Sequence, residues 1–105
     1  MDDQWKTVGA LAARFDAYDR ERGMAHEESV TLQILKIGEE FGEAAQAVIG
    51  AKGTNPRKGT SHTWNDVEAE VADVIVTAMV ALARMRPDAA AFFSEQLRLK
   101  SDRFL

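Results

Sequence analysis

The sequence predicts an all-α fold of four helices. Apolar residues recur at three- and four-residue steps through three long stretches, and more weakly through a fourth. Helix breakers stand between the stretches: Gly23, then Gly53, Pro56 and Gly59, then Pro87. At 105 residues, 46% hydrophobic and 29% charged, the chain is one domain with a modest core, too apolar to stay disordered.

The first helix is expected from about Asp3 to Arg22. Trp5, Val8, Leu11, Ala12, Phe15 and Tyr18 share one stripe, Asp2 or Asp3 suits the cap, and Gly23 suits the position past the end. Trp5 and Phe15 read as core, with ligand contact the alternative. Met24 to Ser29 reads as a short connector. His26 within it is a surface or capping residue, because no Asp, Ser or Cys stands near it in a catalytic arrangement.

A second helix follows from about Ser29 to Ala51. Val30, Ile34, Ile37, Phe41, Ala44, Ala45 and Val48 form the expected core stripe. Lys36, Glu40, Glu43 and Ala47 fall on an adjoining stripe at its edge. Glu39 points about 100° away from Glu40, so Glu40 and Glu43 form the inward pair. Lys36, one turn before Glu40, either pairs with it or reaches a phosphate.

Gly50 to Thr63 is the one long irregular segment. Lys52, Arg57 and Lys58 make it basic within an acidic chain. Two readings stand for these residues: a mobile lid that meets phosphates, or a solvated connector. The segment is not a P-loop, because Lys58-Gly59-Thr60 has the wrong order and helices on both sides. Trp64, at its close, either anchors the next helix or stacks on a base.

The third helix is expected from about Trp64 to Met85, with Thr63 and Asp66 suited to a cap and an acidic first turn. Val67, Val71, Val74, Ile75, Ala78 and Leu82 form its core stripe. Asp66, Glu70, Asp73 and Thr77 form another, and Val76 and Val80 a third apolar patch. A helix so apolar all round needs more cover than one short chain offers, which points to a subunit interface. Pro87 suits the first position of the last helix, where Phe92, Phe93 and Leu97 give a weaker stripe toward Phe104. Lys100 and Arg103 share a face there, opposing the helix dipole or contacting phosphate.

The chemistry lies in the acids. Glu40 with Glu43, and Glu70 with Asp73, each place two carboxylates about one turn apart on one face. Packed together, the two helices would gather four carboxylates that must take up protons or hold cations. Oxygen ligands without Cys or nearby His suit Mg²⁺ or Mn²⁺ rather than zinc. The chain has no cysteine, which excludes disulfides and thiolate sites. A net charge of −4 argues against general nucleic-acid binding. No apolar run approaches the ~20 residues of a membrane span, and Met1-Asp2-Asp3 opens no basic leader with an apolar core. A cytoplasmic protein is therefore expected.

Glu39-Glu40-Phe41-Gly42-Glu43, followed after a loop by Glu70-Val71-Ala72-Asp73, resembles the E-E-x-x-E and E-x-x-D signature of the MazG-like nucleoside triphosphate pyrophosphohydrolases. The likeness extends from about Leu32 to Leu82. It implies a four-helix bundle completed by dimerisation, possibly as a dimer of dimers. It also implies cleavage of nucleoside triphosphates, often deoxy forms, to the monophosphate and pyrophosphate. By matching position, Glu40, Glu43, Glu70 and Asp73 would hold Mg²⁺, and Glu39 would fill the first place of the signature. A free carboxylate, Glu39 or Glu43, would orient or deprotonate the attacking water. Lys36, Lys52, Lys100 and Arg103 would neutralise phosphate charge. Lys100 and Arg103 look similar to a basic C-terminal element of some members. Rival readings are a pyrophosphohydrolase for another substrate such as phosphoribosyl-ATP, and a non-catalytic helical bundle that binds a protein. A di-iron bundle needs Glu-x-x-His pairs, which the sequence lacks.

Overall fold

The structure, a computed structural model, describes residues 3–105. It has the all-α architecture expected: α1 (Asp3–Glu21), α2 (His26–Lys52), α3 (Trp64–Met85) and α4 (Ala89–Ser101). The cap expected from Asp2 or the Asp3 side chain lies outside what is described. Among the described residues no helix is long and apolar enough to cross a membrane.

Local chemistry sets the boundaries. Gly23, at φ 77°, closes α1, with backbone bonds from Gly23 N to Arg20 O and Met24 N to Asp19 O. The connector is shorter than the sequence suggested: α2 begins at His26, and Glu27 and Glu28 in its first turn favour the helix dipole. Gly53, at φ 68°, ends α2 by donating to Ile49 O. Thr63 and Asp66 form the expected capping box at α3. Pro87 stands just before α4 rather than at its first helical position; Asp88 is the cap residue and Ala89 opens the helix.

α2 and α3 pack together along their length, α1 lies mainly against α3, and α4 makes few contacts. Phe93 of α4 reaches Trp5 of α1, ring centroids 6.0 Å apart. Val8, Ala12 and Val80 form the small central cluster. Trp5 is half-buried and Phe15 exposed, so neither is fully core. The predicted core stripe of α2 is corrected more sharply. Ala44 of that stripe is buried, but Ile34, Phe41 and Val48 are exposed, Phe41 by 66%, while Ser29, Gln33, Ala47 and Gly50 outside it are buried. Val71 and Ile75 of α3 are likewise exposed, and Thr77, Val80, Ala81 and Arg84 are buried. Small side chains let the two backbones approach, so the seam between them takes the stripe that carries the acids. The strongly apolar stripes face outward. The chain is also spread out: its radius of gyration is 16.7 Å, against about 13 Å for a compact domain of this length.

Candidate metal centre

The seam between α2 and α3 carries two polar clusters in succession. In the first, Glu40 and Glu43 of α2 face Glu70 of α3, with one oxygen from each lying within 4.8 Å of the others. The helical spacing makes this unavoidable: Glu40 and Glu43 sit one turn apart, and Glu70 occupies the facing position. Glu40 is largely covered, its side chain 14% exposed, and Glu39 beside it is 66% exposed. A hydrogen bond shared with Glu40, reinforced by the Glu40 charge, holds the Glu43 carboxyl above its usual range. Glu70 Oε2 is buried without a hydrogen-bond partner. Such an atom is unfavourable in a folded chain unless a donor or cation meets it.

Lys36 is the cation at the edge of this group. Its Nζ lies 2.9 Å from Glu39 Oε1 and 3.3 Å from Glu40 Oε1. Hydrogen bonds first to Glu39 and then to Glu40 raise its pKa. It does not reach Glu43 or Glu70, so part of the cluster's charge is unmet by the chain.

The remaining predicted residues are not gathered here. Asp73, one turn beyond Glu70, is exposed and outside the three-oxygen group. Lys52 stands nine residues beyond Glu43 on α2, about 14 Å along the axis. Arg57 and Lys58 are exposed on the loop, and Trp64 is exposed at the start of α3. The loop itself is tied down rather than loose. Asn55 Oδ1 accepts from the Arg57 and Lys58 amides, and Ser61 N donates to Gly50 O at 3.1 Å. Gly50 gives that segment room, since a Cβ there would sit 2.6 Å from Ser61 Oγ and collide with the His62 ring. Lys100 and Arg103 are exposed near the end of the chain and pair with no acid among the described residues.

The second cluster was not singled out from the sequence. Arg84, its side chain 4% exposed, donates from Nε to Asp16 Oδ1 at 2.8 Å and from Nη2 to Asp19 Oδ2 at 2.7 Å. Its Nη1 donates to Gln33 Oε1 at 2.8 Å, and Gln33 Nε2 donates to Thr77 O at 3.2 Å. Burial opposes the charge on Arg84, but hydrogen bonds to Asp19 and Asp16 outweigh it and raise its pKa. The Arg84 hydrogen bond holds Asp19 below the usual carboxylate range. One signal was present in the sequence: Arg84 continues the stripe of Glu70 and Thr77 at seven-residue steps.

No protein-family model, curated protein or solved structure matches this chain.

Proposed function

We propose that the chain is a Mg²⁺-dependent pyrophosphohydrolase of nucleoside triphosphates, with the metal held by Glu40, Glu43 and Glu70. One observation carries this reading. Three carboxylates converge, and one of their oxygens, Glu70 Oε2, is buried with nothing to meet it. An all-oxygen donor set drawn from carboxylates fits Mg²⁺ or Mn²⁺. When bound, such an ion supplies a Lewis acid for phosphoryl oxygens and lowers the pKa of bound water.

The chain's own residues do the rest. Glu40 and Glu70 orient the donor oxygens from two rigid helices. Glu43, at the exposed side, would be the third ligand, its proton held by the hydrogen bond and charge of Glu40 in the ion-free chain and displaced when a cation binds. That leaves the exposed Glu39 as the free carboxylate to orient water. Lys36 lies against Glu40 and swings between that carboxylate and a phosphate oxygen. Asp73, exposed one turn beyond Glu70, would be the fourth ligand that the resemblance implies. The family resemblance supports the same chemistry, since Glu40, Glu43 and Glu70 are three of the four ligand positions it implies.

The assembly follows from the exposed apolar face. Ile34, Phe41 and Ile75 are 44%, 66% and 55% exposed in a chain more extended than its length requires. A second copy covering this face gives the homodimer, and two such pairs the tetramer.

Pyrophosphate release from all common ribo- and deoxynucleoside triphosphates, with and without Mg²⁺, tests the proposal. The expected result is release that requires the metal and is lost in Glu40→Ala and Glu70→Ala. Release that persists in both variants would overturn the assignment.

A further inference from the structure

A cavity of 340 Å³ lies beside the acidic cluster, between α1 and the α2–α3 seam. Its volume is at the lower end for small-molecule sites. The walls differ in character. Phe15 of α1, 39% exposed, supplies aromatic surface opposite the aliphatic Val76 and Val80; the Tyr18 ring beside it carries the Arg22 guanidinium on one face, 3.7 Å from its centroid. Arg84, Gln33, Thr77 and Asp19 supply the polar part.

Two features connect this cavity to the proposed metal centre. Lys36 lines the cavity and also lies 3.3 Å from Glu40, so it stands at the boundary between the two. On α3, Thr77 of the cavity and Glu70 of the cluster are seven residues apart, roughly 10 Å along one face. That spacing suits a ligand with a flat ring at one end and a phosphate chain at the other. Exposed aromatic rings above a polar floor are the usual surface for a nucleobase.

The polar floor carries the specificity. Asp19 keeps 21% of its side chain accessible while Arg84 holds one of its oxygens at 2.7 Å and the Ser29 side chain also hydrogen-bonds to the carboxylate. The carboxylate is thus fixed in place with acceptor capacity to spare. An ionised carboxylate accepts hydrogen bonds and offers none. It favours a base edge bearing an amino group and disfavours one bearing a carbonyl.

We propose that this cavity receives the base of the nucleotide, and that Asp19 selects amino-bearing bases, cytosine, adenine and guanine, over uracil and thymine. The inference rests on the pyrophosphohydrolase reading for where the phosphates go, and its test does not depend on turnover. Calorimetric titration with CMP, AMP, UMP and TMP in the presence of Mg²⁺ measures the preference directly. CMP and AMP should bind about tenfold or more tighter than UMP and TMP. The monophosphate of 2-pyrimidinone, which is cytosine without its amino group, should bind as weakly as UMP.

Asp19→Asn should bring the CMP and UMP affinities together. Val76→Trp, at a 44% exposed position that tolerates bulk, should fill the cavity and remove binding of all four. Equal binding of CMP and the 2-pyrimidinone nucleotide to the wild-type protein would overturn the proposal, and so would unchanged CMP binding by Val76→Trp. Pyrophosphate release from CTP that is indifferent to Val76→Trp would overturn the cavity assignment and leave the hydrolase reading standing. The expected binding pattern without pyrophosphate release from any triphosphate would do the reverse.

Discussion

The two polar clusters of the α2–α3 seam use the same side-chain chemistry and reach opposite outcomes. Around Arg84, two carboxylates and an amide meet one guanidinium, and its three nitrogens each find a partner. Around Glu70, three carboxylates meet at the edge of one lysine that reaches only one of them, and one oxygen is buried alone. In the first cluster the guanidinium is fully met within the chain, and the cluster joins α1, α2 and α3. The second lacks positive charge. The nearest members of the two clusters, Gln33 and Glu40 on α2 and Thr77 and Glu70 on α3, are two turns apart, yet the charge of one cluster is balanced and that of the other is not.

The largest effect expected from breaking this contrast is at the balanced end. Arg84→Ala leaves Asp16 and Asp19 without their partner and should cost about 3–5 kcal/mol of folding stability, read by chemical denaturation. Next comes the unbalanced end. Glu70→Gln should lower Mg²⁺-dependent turnover by roughly 100-fold or more, in line with the loss of one strong electrostatic contact to the reacting group. It should not lower the metal-free melting temperature, because it removes a like charge. An opposite pair of results, with Glu70→Gln unfolding the protein and Arg84→Ala harmless, would reverse the roles given to the two clusters.

Adding Mg²⁺ sharpens the comparison further. A ligand of the native state at a hundred times its dissociation constant stabilises by about 2.7 kcal/mol, so the wild-type melting temperature should rise with Mg²⁺ and that of Glu40→Gln should not.

The smallest effects are on pH dependence, and they carry opposite signs at the two ends. Glu43 has a raised pKa, so the native state binds its proton more tightly than the unfolded chain does. Its contribution is fully present below the ordinary value of 4.5 and is lost as pH rises through the elevated one. Metal-free protein should therefore lose stability over that interval, and Glu43→Gln should flatten the loss. Asp19 has a lowered pKa. Its contribution is present above the ordinary 3.8 and is lost as pH falls through the depressed value. Asp19→Asn should remove that acid-side dependence in denaturation curves measured below pH 3.8.

The helices were legible because their signals are local. Periodicity, Gly23, Gly53 and the Thr63–Asp66 box act over a few residues, and the element order follows from them. The choice of buried face was not local. Ile34, Phe41 and Val48 outrank Gln33 and Ala47 in hydrophobicity, yet Gln33 lies on the seam through its hydrogen bonds with Thr77 O and Arg84, and Ala47 because it lets α2 and α3 come close. The acids were found through their three-residue spacing. Arg84 was passed over because its partners, Asp16, Asp19 and Gln33, are 51 to 68 positions away in the chain, and no pattern within a single helix joins them. Asp73 shows the converse. Spacing groups it with Glu70, and its side chain nevertheless lies in solvent.

The most direct test of the central claim is calorimetric titration of Mn²⁺ and Mg²⁺ into the metal-free wild type, Glu70→Gln and Asp19→Asn. Binding to the wild type and to Asp19→Asn, with loss in Glu70→Gln, is the expected result. Equal binding to all three proteins would contradict the account, since the unmet oxygen of Glu70 would then have no part in holding the ion.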